Sequence, residues 1–144
     1  TRHGKIGQTT REDAVTDTGL LVARLFLGVP FIVWGILKLR GGDAKIAPLI
    51  AKLGLPDSMA LAAMVGLCEA LGGLMILLGW PVRTAALLLG LWCLLTGWLE
   101  HRGNVTEILK NVTMAGGYFA LVAVGGGTLA LFGGVGPGIL GWLP

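Results

Sequence analysis

The chain has 144 residues, of which 54% are hydrophobic and 13% charged, with a mean hydropathy of +0.80. Soluble domains carry roughly 25% charged residues, so this composition is that of an integral membrane protein, and its length leaves no room for a soluble catalytic domain beside four spans. A net charge of +3 and a pI near 9.2 do not mark a nucleic-acid binder. The basic residues are spread over the first segment and the connections, where they suit anchoring at a lipid surface.

Residues 1–17 are polar with mixed charges, the pattern of a tail, and lack the apolar core of a signal peptide. The first span is therefore expected to direct insertion. That span, 18–39, reaches crossing length only by including Arg24. Arg24 lies roughly 9 Å inside its start at ~1.5 Å per residue, close enough to extend outward and also able to turn inward. Pro30 removes a backbone donor mid-span, frees the Phe26 carbonyl and predicts a kink. Gly41-Gly42 then breaks the helix. In the segment that follows, Ile46, Leu49, Ile50 and Leu53 share one face while Lys45 and Lys52 can reach head groups, predicting a short interfacial helix. Pro56-Asp57-Ser58 is a helix-start signal.

The second span, 58–80, holds Glu69 as its one charge. About 20 residues cross a ~30 Å hydrocarbon core, so Glu69 sits near mid-membrane, where an ionisable group costs roughly 2.5–3.5 kcal/mol and turns toward a partner. Ala62, Gly66, Gly72, Gly73 and Ile76 share its helical face, a groove of mostly small side chains that lets another backbone approach. Glu69 thus points at a neighbouring helix. Gly79-Trp80-Pro81 is a tight turn into the third span, 82–99, opened by Arg83 and closed by Trp98, Glu100, His101 and Arg102. The fourth span, 106–132, carries Lys110 and Asn111 about one turn from its start. Gly125–Gly127 falls inside it, where close packing accounts for the glycines. A Gly-rich break at 133–138 and an apolar tail at 139–144, with Trp142 suited to lipid or a partner helix, follow. Small-residue pairs, Ala86 with Gly90 and Gly116 with Ala120, add close helix contacts. The fold expected is all-α: a four-transmembrane-helix bundle with a short interfacial helix between spans one and two. Both termini then lie on one side, and the balance of basic residues leaves open which side.

Depth offers Glu69 two cations, Arg24 from one side and Lys110 from the other, with Asn111 able to add an amide hydrogen bond. Such a pair either pins helix register or belongs to a site that binds a molecule or moves protons. Cys68 and Cys93 are equally far from the Trp80-Pro81 turn and so share a depth, which makes them redox candidates. Without a Cys-x-x-Cys spacing, packing is the commoner role of such residues. His3 and His101 have no second ligand at metal or haem spacing, so no metal site and no intrinsic cofactor are expected. Asn104-Val-Thr106 and Asn111-Val-Thr113 match a glycosylation pattern, the second within a span.

One set of motifs runs through all four spans: Arg24-Leu-Phe-Leu-Gly28, Gly35-Ile-Leu-Lys38-Leu39, Glu69-Ala-Leu-Gly72-Gly73 through Gly79-Trp-Pro-Val-Arg83-Thr-Ala85-Ala86, and Lys110-Asn111 before Gly116-Gly117. Over Leu20–Gly138 the chain resembles the DoxX family of small bacterial membrane proteins. The resemblance implies the inner membrane and a link to membrane redox and thiol-stress systems, the family being named for a subunit associated with thiosulfate:quinone oxidoreductase. Arg24, Lys38, Glu69, Arg83, Lys110 and Asn111 match its recurring polar positions. Two functions follow as expectations. In one, the chain is an accessory subunit that docks on a larger membrane redox complex. In the other, it binds a quinone or sulfur substrate, with Glu69 carrying protons, Arg24 or Lys110 orienting a carbonyl or anionic group, and Trp34 or Trp92 lining the pocket. Oxidoreductase activity is implied by the resemblance alone, and bound lipid is expected in either case.

Overall fold

The computed structural model describes residues 2–56 and 59–131, with side chains at 11–41, 47, 50–56 and 59–131. Four helices follow one another: α1 (Arg2–Lys52), α2 (Met59–Leu78), α3 (Val82–Glu100) and α4 (Val105–Val124). No strand occurs among the described residues. Three helical segments are long and apolar enough to cross a membrane, Arg11–Gly41, Met59–Leu78 and Val82–Glu100. The fourth helix is as long as α2 but more polar in its first turns, which carry Glu107, Lys110 and Asn111.

α1 starts at Arg2, well before Thr18, so the polar segment expected as a tail continues the first helix. The helix also runs unbroken through Pro30. Its interior non-helical residue is Gly41, at φ −154° and ψ 35°, where the Gly41-Gly42 break was expected. One neighbouring donor reaches the region below Pro30: the Tyr118 hydroxyl donates to the Leu27 carbonyl at 2.8 Å. Beyond Gly41 the chain is helical to Lys52, and Ile50 is buried against Ala62, with Leu61 and Val65 around them. That contact folds the segment back onto the start of α2. The side chains of Lys45, Ile46 and Leu49, the Asp57-Ser58 start signal, the 133–138 glycine run and the 139–144 tail lie outside the described residues.

The small-residue face read on α2 is the face it buries: Ala62, Gly66, Glu69, Gly73 and Ile76. It lies against α1 with almost no side chain between the backbones. A methyl group added at Gly73 would sit 2.6 Å from the Gly28 carbonyl oxygen, and one at Gly66 would sit 2.9 Å from that of Gly35. Gly28 and Gly35 are seven residues apart, as are Gly66 and Gly73. Two turns forward on α1 therefore match two turns back on α2, which fixes the pair as antiparallel and sets its register.

α3 and α4 form the second antiparallel pair, with Gly97 against Asn111 at one end and Gly90 against Tyr118 and Phe119 at the other. Ala86 and Gly90 are buried as expected of their pairing, whereas Gly116 and Ala120 face outward. The core between the pairs comprises Phe31, Ile76, Val82, Ala85, Ala86, Leu89, Cys93, Ala115, Tyr118 and Leu121. α2 packs far more extensively on α1, and α3 on α4, than α2 does on α3.

The fourth helix stops earlier than its apolar pattern suggests. Gly125 ends it with φ +90°, its N–H donating to the Leu121 carbonyl, and Gly127 follows with φ +75°. These glycines form a turn rather than helix interior, because their positive φ values suit no other residue without strain. The turn is tied to α1. Arg24 donates to the carbonyls of Gly126 at 2.9 Å and Leu129 at 3.1 Å, and Asp17, two turns earlier on α1, accepts from the Thr128 N–H at 2.9 Å and from its hydroxyl.

Candidate functional site

Glu69 pairs with Lys38. Both carboxylate oxygens accept from Lys38 Nζ, and Oε1 also accepts from the Trp92 indole N–H at 2.7 Å. The backbone explains the meeting. Register places Lys38 just beyond the Gly35–Gly66 crossing, and helical side chains lean toward the N-terminus of their own helix. In an antiparallel pair Lys38 and Glu69 therefore lean toward each other. Trp92 follows from the α2–α3 turn: it stands as far after Trp80-Pro81 as Glu69 stands before it, so the two are level.

The environment of the pair is lopsided. The Glu69 side chain is 5% exposed and that of Lys38 23%, so the carboxylate is enclosed while the ammonium reaches open space. That space is a cavity of about 880 Å³. Phe31, Trp34, Trp92 and Met114 give it an apolar wall, and Glu100, His101, Thr106 and Glu107 surround it where α3 passes into α4. Phe31 packs edge-on against both Trp34 and Tyr118, with ring centroids 5.4 and 5.5 Å apart, which fixes the orientation of that wall.

Polar groups run from the mouth inward. Lys110 bonds Glu107 at 2.6 Å, one turn apart on α4. Asn104 caps α4 by accepting from the Glu107 N–H at 3.3 Å, a structural role for the first of the two glycosylation-like triplets. Asn111 is buried, donates to the Glu107 carbonyl at 3.0 Å and accepts from the Thr96 hydroxyl at 3.3 Å. Chemically the arrangement offers a partly open ammonium to a hydrogen-bond acceptor, held by a carboxylate that the indole N–H also binds, and flat apolar walls for a ring.

The expected site residues separate into two places. Lys38, Glu69, Lys110 and Asn111 line the one cavity. Arg24 does not join them: it is 1% exposed at the opposite end of the bundle, capping carbonyls after α4. Neither cation offered to Glu69 by depth is its partner, since Arg24 holds the turn and Lys110 holds Glu107. Cys68 and Cys93 share a depth but not a face. Both are free thiols, Cys68 exposed and Cys93 buried in the core. Among the described residues no group of three His, Cys, Asp or Glu side chains is placed to hold a metal. Two contributions escaped the sequence reading. One is the Trp92 hydrogen bond to Glu69, which the same distance arithmetic applied to the cysteines would have found. The other is Thr96, which lies one turn after Trp92 and has no motif to mark it.

A bundle of apolar helices with one buried acidic residue paired to a lysine beside a cavity defines a class of small integral membrane protein. The DoxX family profile matches residues 19–102, and the chain belongs to that family. It is 35% identical over 120 residues to the inner membrane protein YqjF of Escherichia coli, covering 80% of this chain and 90% of that one. It is 30% identical over 122 residues to the inner membrane protein YphA of the same organism, covering 78% of this chain and 86% of that one. No solved structure matches. These relatives and the apolar helices place the chain in the inner membrane, in contact with the lipid bilayer.

Proposed function

We propose that this chain is an accessory subunit of a larger membrane redox complex and that it binds the head group of a quinone in the cavity beside Lys38 and Glu69. The observation that carries this reading is the Lys38–Glu69–Trp92 cluster in the wall of an aromatic-lined cavity. A pair serving only to pin register would be closed on all sides. Here the ammonium faces space large enough for a ring, and its N–H groups suit a quinone carbonyl. Lys38 takes the orienting role expected of Arg24 or Lys110.

Reduction of a quinone to the quinol consumes two electrons and two protons. In this reading the electrons come from the redox centre of a partner subunit. The two protons reach the ring one at a time through the Lys38–Glu69 pair, which recovers each of them from the mouth of the cavity.

The test is titration of the protein in lipid nanodiscs with decylubiquinone, read as quenching of tryptophan fluorescence. Saturable quenching that is lost in Lys38→Met and retained in Arg11→Ala, a residue outside the cavity, is expected. Quenching that does not saturate, or that is identical in Lys38→Met, overturns the quinone site and leaves docking as the chain's role.

A further inference from the structure

A second cavity of about 440 Å³ lies on the other side of the same two residues. Glu69 and Trp92 line both cavities, and apart from them this one is walled by apolar side chains of α2 and α3 together with the Cys68 thiol. It lies along the seam where α2 packs far less extensively on α3 than on α1. At Gly72 the two helices do touch: an added methyl group would lie 3.1 Å from Leu89. The rims, Met64, Leu71 and Leu88, are 53%, 45% and 55% exposed on helices that face lipid.

We propose that this groove is the bilayer-facing half of the site and receives the alkyl or isoprenoid tail of the molecule whose carbonyl head lies at Lys38. The inference rests on the quinone reading above and adds the route and posture of the ligand. The first cavity has its polar mouth at the α3–α4 connection, the wrong surroundings for a long apolar chain. The groove offers apolar walls at mid-span, and it ends on the side chains that hold the head. The tail leaves sideways between α2 and α3 into the hydrocarbon, and the Trp92 indole, bonded to Glu69, is the partition beside which the ring passes. Because lipid is as apolar as the groove, tail burial adds little affinity from a bilayer. The test therefore reads position rather than binding strength.

A ubiquinone analogue with a diazirine on its alkyl tail is photolysed with the protein in nanodiscs, with and without excess decylubiquinone, and the adducts are mapped by mass spectrometry. Adducts in 64–75 and 85–92 that are lost with competitor are expected. Cys68, a native thiol in the groove, should also react more slowly with N-ethylmaleimide when decylubiquinone is present, and no more slowly with duroquinone, which has no tail. Competed adducts at 106–114 overturn the groove while leaving the head site intact. Groove adducts that excess competitor does not reduce show ordinary lipid contact and overturn it too. If saturable tryptophan quenching is also missing, the quinone reading fails, and the groove proposal with it.

Discussion

Glu69 is enclosed to 95% of its side chain while its partner is partly open, and that asymmetry sets what substitutions should cost. Lys38→Met strands a buried carboxylate, for which removal of one partner costs about 3–5 kcal/mol. Glu69→Leu leaves an ammonium that can draw water from the cavity and should cost less, about 1–2 kcal/mol, as for a hydrogen-bonded group that regains solvent. The double variant should lie near the wild type, since a buried pair exchanged whole for apolar side chains is often neutral. Unfolding in mixed detergent micelles measures all three, and equal losses in the two single variants would contradict the lopsided burial. Trp92→Phe removes one charge-assisted hydrogen bond and should cost about 1.5–3 kcal/mol by the same measurement. A depth count does not find the partner of Glu69, because Lys38 stands at the end of its span. It becomes legible from the glycines: Gly28 with Gly35 and Gly66 with Gly73 repeat at one spacing on both helices, and that register puts Lys38 within reach.

At the scale of the helix, glycine decides how near two backbones come. Gly73→Ala would push a methyl group into the Gly28 carbonyl, and there is no flexible side chain to yield. The α1–α2 pair must separate, at about 1–3 kcal/mol for overpacking, and the Lys38–Glu69 pair must lengthen with it. Gly116→Ala meets nothing within 4 Å and should stabilise α4 by up to about 1 kcal/mol through helix propensity. Thermal unfolding of both variants in one detergent checks the contrast, and equal effects would remove the close-approach argument. The buried face of α2 was legible because a helix of small residues with a single carboxylate has one face that can be covered. The end of α4 was not. Gly125–Gly127 follows an apolar run without a polar break, and only the tertiary demand for carbonyls that Arg24 can reach turns those glycines out of the helix.

Over the whole molecule, the bundle is two antiparallel pairs tied to each other by hydrogen bonds at two levels. Arg24 and Asp17 clasp the turn after α4, while at the cavity end α2 and α3 are bridged by the Trp92–Glu69 bond. The same construction bears on α4, whose first turns are too polar for composition alone to mark it as a span. α4 lies antiparallel to α3 along its length, Gly97 beside Asn111 and Gly90 beside Tyr118, so if α3 crosses the bilayer α4 crosses the same depth. Its Glu107 and Lys110 neutralise each other at the cavity mouth, and its buried Asn111 is satisfied by Thr96 and the Glu107 carbonyl, which removes the main penalties for insertion. The expected topology puts residue 102 on one side of the membrane and residue 128 on the other. With Cys68 and Cys93 replaced by serine, Arg102→Cys and Thr128→Cys should react with a membrane-impermeant maleimide from opposite faces of sealed vesicles. Labelling of both from the same face would mean that α4 lies along the membrane instead of crossing it, and the cavity it walls would then lose one side.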